Sequence, residues 1–211
     1  MPFIFAPIWI TKLILMITTN NSSSLIQEKS VNALLVIDIQ ENLLNPASVI
    51  HIDTTNIELF LSNLNHVIKE FEMKKNHIFY IINEWSNPIW NFFTKNVCKK
   101  GGKGVGIDNR LNVVNDNIFS KSKANSLSNK SLLANLKANN ITNVYVMGLQ
   151  AEYCVKATVN GLLKEKFNVV VVKDALGSVN TTKYNKTINY FERKDIKLIE
   201  TKNIKDSLIC N

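Results

Sequence analysis

The chain of 211 residues is poor in the residues that break regular structure, with only 7 glycines and 4 prolines. Disordered and fibrous proteins are much richer in both and in charge, so a composition of 45% hydrophobic and 20% charged residues predicts a folded globular protein. The three cysteines, Cys98, Cys154 and Cys210, are too widely spaced to predict a disulfide framework or a zinc site. We therefore expect a protein of a reducing compartment, the cytoplasm.

Arginine is also scarce, since Arg110 and Arg193 are the only two among the 25 basic residues. The formal net charge of +8 raises the question of a nucleic-acid partner. Arginine is the usual side chain for recognising guanines and phosphates, and the lysines are spread along the chain rather than gathered in one patch. We expect no nucleic-acid partner.

The sequence lacks an uninterrupted apolar run of the roughly 20 residues needed to span a bilayer. The apolar start is interrupted by Pro7 and Lys12, and no positive charge precedes Lys12, as a signal peptide would require. We interpret residues 1–30 as an N-terminal extension or an over-extended gene start, in preference to a membrane anchor or signal. Residues 31–211 are then one domain without a membrane partner.

From residue 31 onward, apolar runs typical of buried strands alternate with segments of helical periodicity. Alternation of this kind predicts a three-layer α/β/α sandwich around a mainly parallel sheet of about six strands. The predicted strands are residues 32–38, 77–82, 117–120, 143–148, 168–174 and 197–200, and the predicted helices are residues 54–75, 128–139, 152–166 and 182–194. Residues 83–115 form a long irregular excursion, of a kind that is usually functional.

Reactive residues of parallel sheets gather beyond the carboxyl ends of the strands. This rule selects Asp38 after the first strand, Asn83 and Glu84 after the second, and Lys121 after the third. The turn of residues 148–154, which ends in Cys154, follows the fourth. The sequence therefore predicts a carboxylate, an ammonium group and a thiol at one edge of the sheet.

Cys154 lies near the start of a predicted helix, where the helix dipole stabilises a thiolate. None of the three histidines, His51, His66 and His77, is placed at a strand's carboxyl end, so a Cys–His pair is not expected. Asp38 is then the candidate base, and Lys121 is expected to hold the pKa of the thiol below the value of about 8.5 for a free cysteine.

Four stretches resemble the isochorismatase-like cysteine hydrolase superfamily in order and spacing, over about residues 31–200. They are Leu34-Leu-Val-Ile-Asp38-Ile-Gln40, Lys121 with Asn125-Ser-Leu127, Val146-Met-Gly-Leu-Gln-Ala-Glu-Tyr-Cys154-Val-Lys-Ala-Thr158, and Val170-Val-Val-Lys-Asp174-Ala175. The fold that this resemblance implies is the one that the periodicity predicts.

The resemblance implies that Cys154 is a nucleophile, Asp38 its base and Lys121 the third catalytic residue. It also implies a cis peptide at Leu149–Gln150 and an oxyanion hole made by the backbone N–H groups of Gln150 and Cys154. The implied reaction hydrolyses a C–N bond of a small amide, ureido or carbamoyl compound without a cofactor. The resemblance also implies a homo-oligomer, as the apolar excursion does.

The sequence departs from the metal-binding branch of that superfamily. Nicotinamidases carry an Asp-x-His motif and a further histidine after the second strand, whereas residues 83–90 here contain no histidine. We therefore expect neither a metal nor nicotinamidase activity. An isochorismatase-type vinyl-ether hydrolase and a non-catalytic scaffold remain the alternatives, the second disfavoured by the intact Asp38, Lys121 and Cys154.

The excursion and the neighbouring turns supply the candidate substrate-binding residues, which are Asn83, Glu84, Trp85, Leu127 and Tyr153. Trp90, Phe92 and Phe93 either line a pocket for a planar substrate or pack under a loop or in a dimer interface. Arg110 either pairs with Asp108 or reaches the pocket.

Overall fold

The computed structural model describes residues 30–50, 52–53 and 55–208. The predicted extension up to residue 29 and Cys210 lie outside these residues. Six strands form one sheet in which every pairing is parallel: β1 Asn32–Ile37, β2 His77–Asn83, β3 Ile118–Lys121, β4 Asn143–Gly148, β5 Asn168–Leu176 and β6 Lys197–Ile199. The strand order is β3-β2-β1-β4-β5-β6. The predicted parallel six-stranded sheet is confirmed.

Helices cover both faces of the sheet. They are α1 Glu41–Leu44, α2 Ile57–Met73, α3 Pro88–Phe93, α4 Lys130–Ala138, α5 Lys156–Lys164, α6 Thr181–Glu192 and α7 Ile204–Ser207. A π-helical turn, Ala151–Val155, precedes α5, and short 3₁₀ turns lie at Ser126–Ser128 and Thr201–Asn203. No helix of the described ranges is long and apolar enough to span a bilayer.

The two faces have separate hydrophobic cores because successive side chains of a strand point to opposite sides. On one face Leu34 and Val36 of β1 pack with Leu64 and other residues of α1, α2 and α7. On the other face Leu35 of β1 packs with residues of α4, α5 and α6. This arrangement confirms the predicted three-layer sandwich.

The largest difference from the predicted elements lies in the excursion after β2, which contains the helix α3. Asn87 caps this helix, because its side chain accepts a hydrogen bond of 3.0 Å from the Trp90 N–H, and Pro88 occupies the first turn. Asn-Pro is therefore the helix-start signal in a segment predicted to be irregular. The predicted helix of residues 152–166 also differs, since it begins with the π-helical turn and ends at Lys164.

Candidate active site

The order of strands reverses between β1 and β4, and a cavity of about 420 Å³ opens beyond their carboxyl ends. Open α/β sheets bind ligands at such a point, because crossovers to opposite faces leave a crevice there. The cavity is lined by Asp38, Leu43, Ile50, Asn83, Trp85, Trp90, Thr94, Ser122, Lys123, Ala124, Leu149, Gln150, Tyr153 and Cys154. Most of the surface that faces the cavity is apolar, although polar side chains are present among the lining residues.

Asp38 and Lys121 form a buried ion pair. Lys121 Nζ donates a hydrogen bond of 2.8 Å to Asp38 Oδ2, and the two side chains are 0% and 2% exposed. The other carboxylate oxygen, Oδ1, is buried and has no hydrogen-bond partner among the residues that the structure describes. Asp38 thus keeps one acceptor atom for a further proton donor.

Backbone geometry brings these two residues together. Asp38 adopts a left-handed conformation with φ of 56°, which turns the chain away directly after β1. Its N–H still donates to the Ile81 carbonyl at 2.8 Å. Lys121 ends β3 and lies in register with Asn83 of β2, so one strand separates the two charged residues and the long lysine side chain crosses that distance.

Cys154 is the third member of this charged cluster. It follows β4, on the other side of the strand-order reversal from Asp38 and Lys121. Lys121 Nζ lies 3.3 Å from Cys154 Sγ, so the ammonium group contacts both the carboxylate and the thiol. The structure therefore brings together the three residues that the sequence singled out. Arg110, in contrast, is bound by Asp108 through two hydrogen bonds of 2.8 Å and does not line the cavity.

The turn that carries Cys154 starts at Gly148, which has φ of 117°. A Cβ atom at Gly148 would overlap the carbonyl oxygen of Ile37 in the neighbouring strand, so glycine is required for both conformation and space. The turn is held by hydrogen bonds of 2.8 Å from the Leu149 N–H to the Ile37 carbonyl and from the Ala151 N–H to the Gly177 carbonyl.

The predicted cis peptide at Leu149–Gln150 is wrong, since no peptide bond among the described residues is cis. The chain reverses instead at Gly148 through its positive φ, and Gln150 follows in an extended conformation with φ of −87° and ψ of 138°. Gln150 and Cys154, the two residues of the predicted oxyanion hole, both line the cavity.

The ionisation of the cluster differs from the expectation. Burial, followed by the negative charge of Asp38, raises the pKa of the Cys154 thiol to about 12, although Lys121 acts in the opposite direction. The predicted lowering of this pKa is therefore wrong, because the effect of Lys121 is smaller than the combined effects of burial and of the neighbouring carboxylate.

The ion pair responds to the same surroundings. Burial raises the pKa of Asp38 against the opposing effect of Lys121, which makes its carboxylate a stronger base than an ordinary aspartate. Burial alone would lower the pKa of Lys121, but the charges of Asp38 and Cys154 outweigh it and raise that pKa. At neutral pH the lysine is charged and the thiol is protonated.

The predicted substrate-binding residues divide into two groups. Asn83, Trp85 and Tyr153 line the cavity, whereas Glu84 and Leu127 lie outside its lining. Leu127 turns inward at the 3₁₀ turn after β3 and is buried in the core that faces α4 and α5.

Trp90 lines the cavity, which is one of the placements that the sequence left open. It stacks edge-to-face on Trp85 with ring centroids 5.8 Å apart, and together the two rings form an aromatic wall. Several other lining residues were not predicted. Ser122, Lys123 and Ala124 line the cavity because they directly follow Lys121 at the end of β3. Their position directly after a strand could have indicated that they line the cavity. Nothing in the sequence around Leu43 and Ile50 indicates that these two residues line it.

Among the residues described, no group of three or more His, Cys, Asp or Glu side chains is arranged to hold a metal ion. The cluster that lies in the cavity is a carboxylate, a thiol and an ammonium group.

Comparison with known proteins identifies the family to which these features belong. The model of the isochorismatase domain matches residues 32–202, so the chain belongs to the isochorismatase family and is a hydrolase of that family. A search of curated proteins found no match.

Solved structures share the fold at low identity. An isochorismatase family protein from Desulfovibrio vulgaris is 16% identical with a TM-score of 0.77, over 85% of this chain and 99% of that one. The N-carbamoylsarcosine amidase from Thermoplasma acidophilum is 20% identical with a TM-score of 0.69, over 81% and 96%. The nicotinamidase from Bacillus subtilis is 16% identical with a TM-score of 0.68, over 80% and 99%.

Proposed function

We propose that the protein is a cysteine hydrolase that cleaves the C–N bond of a small amide, ureido or carbamoyl compound through an acyl-enzyme on Cys154. One observation carries this proposal: Lys121 Nζ lies 2.8 Å from Asp38 Oδ2 and 3.3 Å from Cys154 Sγ at the wall of a cavity. Acyl transfer requires a nucleophile and a base near each other, and here one positive charge contacts both.

The first step forms the acyl-enzyme. As the Cys154 sulfur attacks the substrate carbonyl carbon, its proton passes to Asp38, whose Oδ1 has no other hydrogen-bond partner among the described residues. The backbone N–H groups of Gln150 and Cys154 stabilise the oxyanion that forms on the carbonyl oxygen. The C–N bond then breaks, and Asp38 returns the proton to the leaving nitrogen.

The second step releases the product. Water attacks the thioester carbonyl and gives a proton to Asp38, the C–S bond breaks as the acid is formed, and Asp38 returns that proton to the Cys154 sulfur. Lys121 remains positively charged throughout and stabilises both Asp38 and the developing thiolate. A thiol with a pKa of about 12 can still react, because its proton passes to Asp38 during the attack rather than before it.

The cavity favours a substrate with a planar or apolar body. Trp85, Trp90 and Tyr153 supply aromatic surface, and Asn83 supplies a carboxamide for the polar end of the substrate. The fold that the chain shares with the N-carbamoylsarcosine amidase from Thermoplasma acidophilum supports the choice of amide and carbamoyl compounds for a first test.

The test is an ammonia-release screen over primary amides, ureides and carbamoyl compounds with the wild type, Cys154→Ala and Cys98→Ala. Cys98 is a matched control because it is a free thiol, like Cys154, but does not line the cavity. Release by the wild type and Cys98→Ala but not by Cys154→Ala supports the proposal, as does a substrate-sized mass adduct on Cys154. Undiminished release by Cys154→Ala overturns it. Turnover of a vinyl ether alone would instead favour the isochorismatase-type reaction.

We also propose that the protein acts in the cytoplasm as a homo-oligomer. Both described cysteines, Cys98 and Cys154, are free thiols, which suits a reducing compartment. Helix α3 exposes four large apolar side chains, and contiguous apolar surface of this kind is typical of interfaces between subunits. They are Ile89, Trp90, Phe92 and Phe93, at 69%, 52%, 79% and 72% exposure.

A further inference from the structure

The side chain of Gln40 occupies an unusual place beside the candidate active site. Gln40 follows Asp38 by two residues, is fully buried, and does not line the cavity. Its Nε2 donates hydrogen bonds of 3.1 Å to the Asn83 carbonyl and 2.6 Å to the Val105 carbonyl. Its Oε1 accepts a hydrogen bond of 2.8 Å from the Asn83 N–H.

These contacts replace a missing part of the sheet. The register between β1 and β2 ends at Ile37 and Ile81, because the left-handed turn at Asp38 directs the main chain away. Asn83 would then be left without a backbone partner on that side. The Gln40 carboxamide offers one donor and one acceptor to the Asn83 backbone, as a neighbouring strand would.

We propose that Gln40 is a positioning residue of this site, which holds Asn83 at the cavity wall where the main chain of β1 has turned away. The inference rests on the proposed function, in which the Asn83 carboxamide binds the polar end of the substrate. Asn83 is 7% exposed, lines the cavity, and its Oδ1 has no hydrogen-bond partner within the described part of the chain. A carboxamide held in this way is suited to a substrate amide or ureido group.

Gln40 also holds the excursion after β2 through its hydrogen bond to the Val105 carbonyl, and Asn42 offers a matched control for this second role. Its Nδ2 donates to the Val97 carbonyl at 3.0 Å and to the Lys103 carbonyl at 2.5 Å, both in the excursion after β2. Asn42 thus ties down the same segment through the same kind of bond, but it contacts neither Asn83 nor the cavity. If Gln40 only braced the excursion, Gln40→Met would lower stability but would raise KM no more than Asn42→Ala does.

The experiment compares Gln40→Met, Asn83→Ala and Asn42→Ala on the best substrate from the screen. Gln40→Met preserves length and removes all three hydrogen bonds. Loss of one substrate hydrogen bond is worth up to about tenfold in binding, so we expect KM to rise about tenfold for Gln40→Met and Asn83→Ala. We expect kcat to change by less than about threefold, and Asn42→Ala to leave both constants unchanged.

A second measurement needs no turnover. Cys154 is alkylated by iodoacetamide, which carries a carboxamide, and by methyl methanethiosulfonate, which carries none. The ratio of the two rate constants is expected to fall in Gln40→Met and Asn83→Ala but not in Asn42→Ala. Equal ratios and equal KM values in Gln40→Met and Asn42→Ala would overturn the inference, while ammonia release that still depends on Cys154 would leave the proposed function standing.

If Gln40→Met does not fold, Gln40→Glu decides. The glutamate keeps the acceptor for the Asn83 N–H, and its protonated form keeps one donor. Ionisation places a negative charge against two carbonyl oxygens, so KM is expected to rise with pH in Gln40→Glu relative to the wild type. A KM with the same pH dependence as the wild type would overturn the inference.

Discussion

The buried ion pair makes a strong prediction about stability. Lys121→Met removes the only charged partner that the described residues offer to Asp38, while its apolar side chain fills much of the same space. Removing one member of a buried pair typically costs about 3–5 kcal/mol, because an uncompensated charge stays in the interior. For a domain stable by about 5–15 kcal/mol this is a large fraction of the free energy of unfolding.

The loss is expected to depend on pH in a defined direction. Burial raises the pKa of Asp38 in the folded protein, and Lys121 opposes that shift, so its removal raises the folded pKa further. The unfolded value is about 3.9, so between the two values the folded variant binds more protons than the unfolded one. Stability of Lys121→Met should therefore be greatest in acid and fall as pH rises through the folded pKa of Asp38.

The assay is urea unfolding at pH 5 and pH 8 for the wild type, Lys121→Met, Asp38→Asn and the double variant. We expect Lys121→Met to lose about 3–5 kcal/mol at pH 8 and less at pH 5. The double variant should be more stable at pH 8 than Lys121→Met, since no buried charge remains. A loss below about 1 kcal/mol at pH 8, or one that does not shrink at pH 5, would refute the assignment of a buried charged pair.

Asp38→Asn is expected to lower the pKa of the Cys154 thiol, because it removes the negative charge that, after burial, raises that pKa to about 12. The thiolate absorbance of Cys154 should then appear at a lower pH in Asp38→Asn than in the wild type, although turnover is lost with the base; an unchanged or higher titration midpoint would contradict this account. Gly148→Ala should destabilise the fold by about 2 kcal/mol or more in urea unfolding, since its Cβ overlaps the neighbouring strand; an unchanged midpoint would argue against that packing. The double change Phe92→Ser and Phe93→Ser should convert the proposed oligomer into monomers in sedimentation velocity, and an unchanged assembly would exclude this face as the interface.

Much of the sheet could be predicted from local sequence, because apolar runs such as residues 143–148 have the length of a strand and are too short for a buried helix. Parallel strands align their carboxyl ends, so the residues after each run were expected at one edge. That single rule predicted that Asp38, Lys121 and Cys154 lie close together. Lys121 is 83 residues from Asp38 in the chain and 33 residues from Cys154, and it contacts both.

Tertiary structure alone decided how those residues are surrounded. The pKa of Cys154 rises because burial costs more than Lys121 returns, and the depth of burial is a property of the packed cavity rather than of the residues near Cys154 in the chain. The cis peptide predicted at Leu149–Gln150 is not needed where Gly148 reverses the chain. The pairing of Gln40 with Asn83, 43 residues away, arises only because Asp38 turns left-handed and leaves a strand edge to be filled. Strand positions follow from local hydrophobicity, whereas ionisation and hydrogen-bond partners depend on which distant groups exclude water around them.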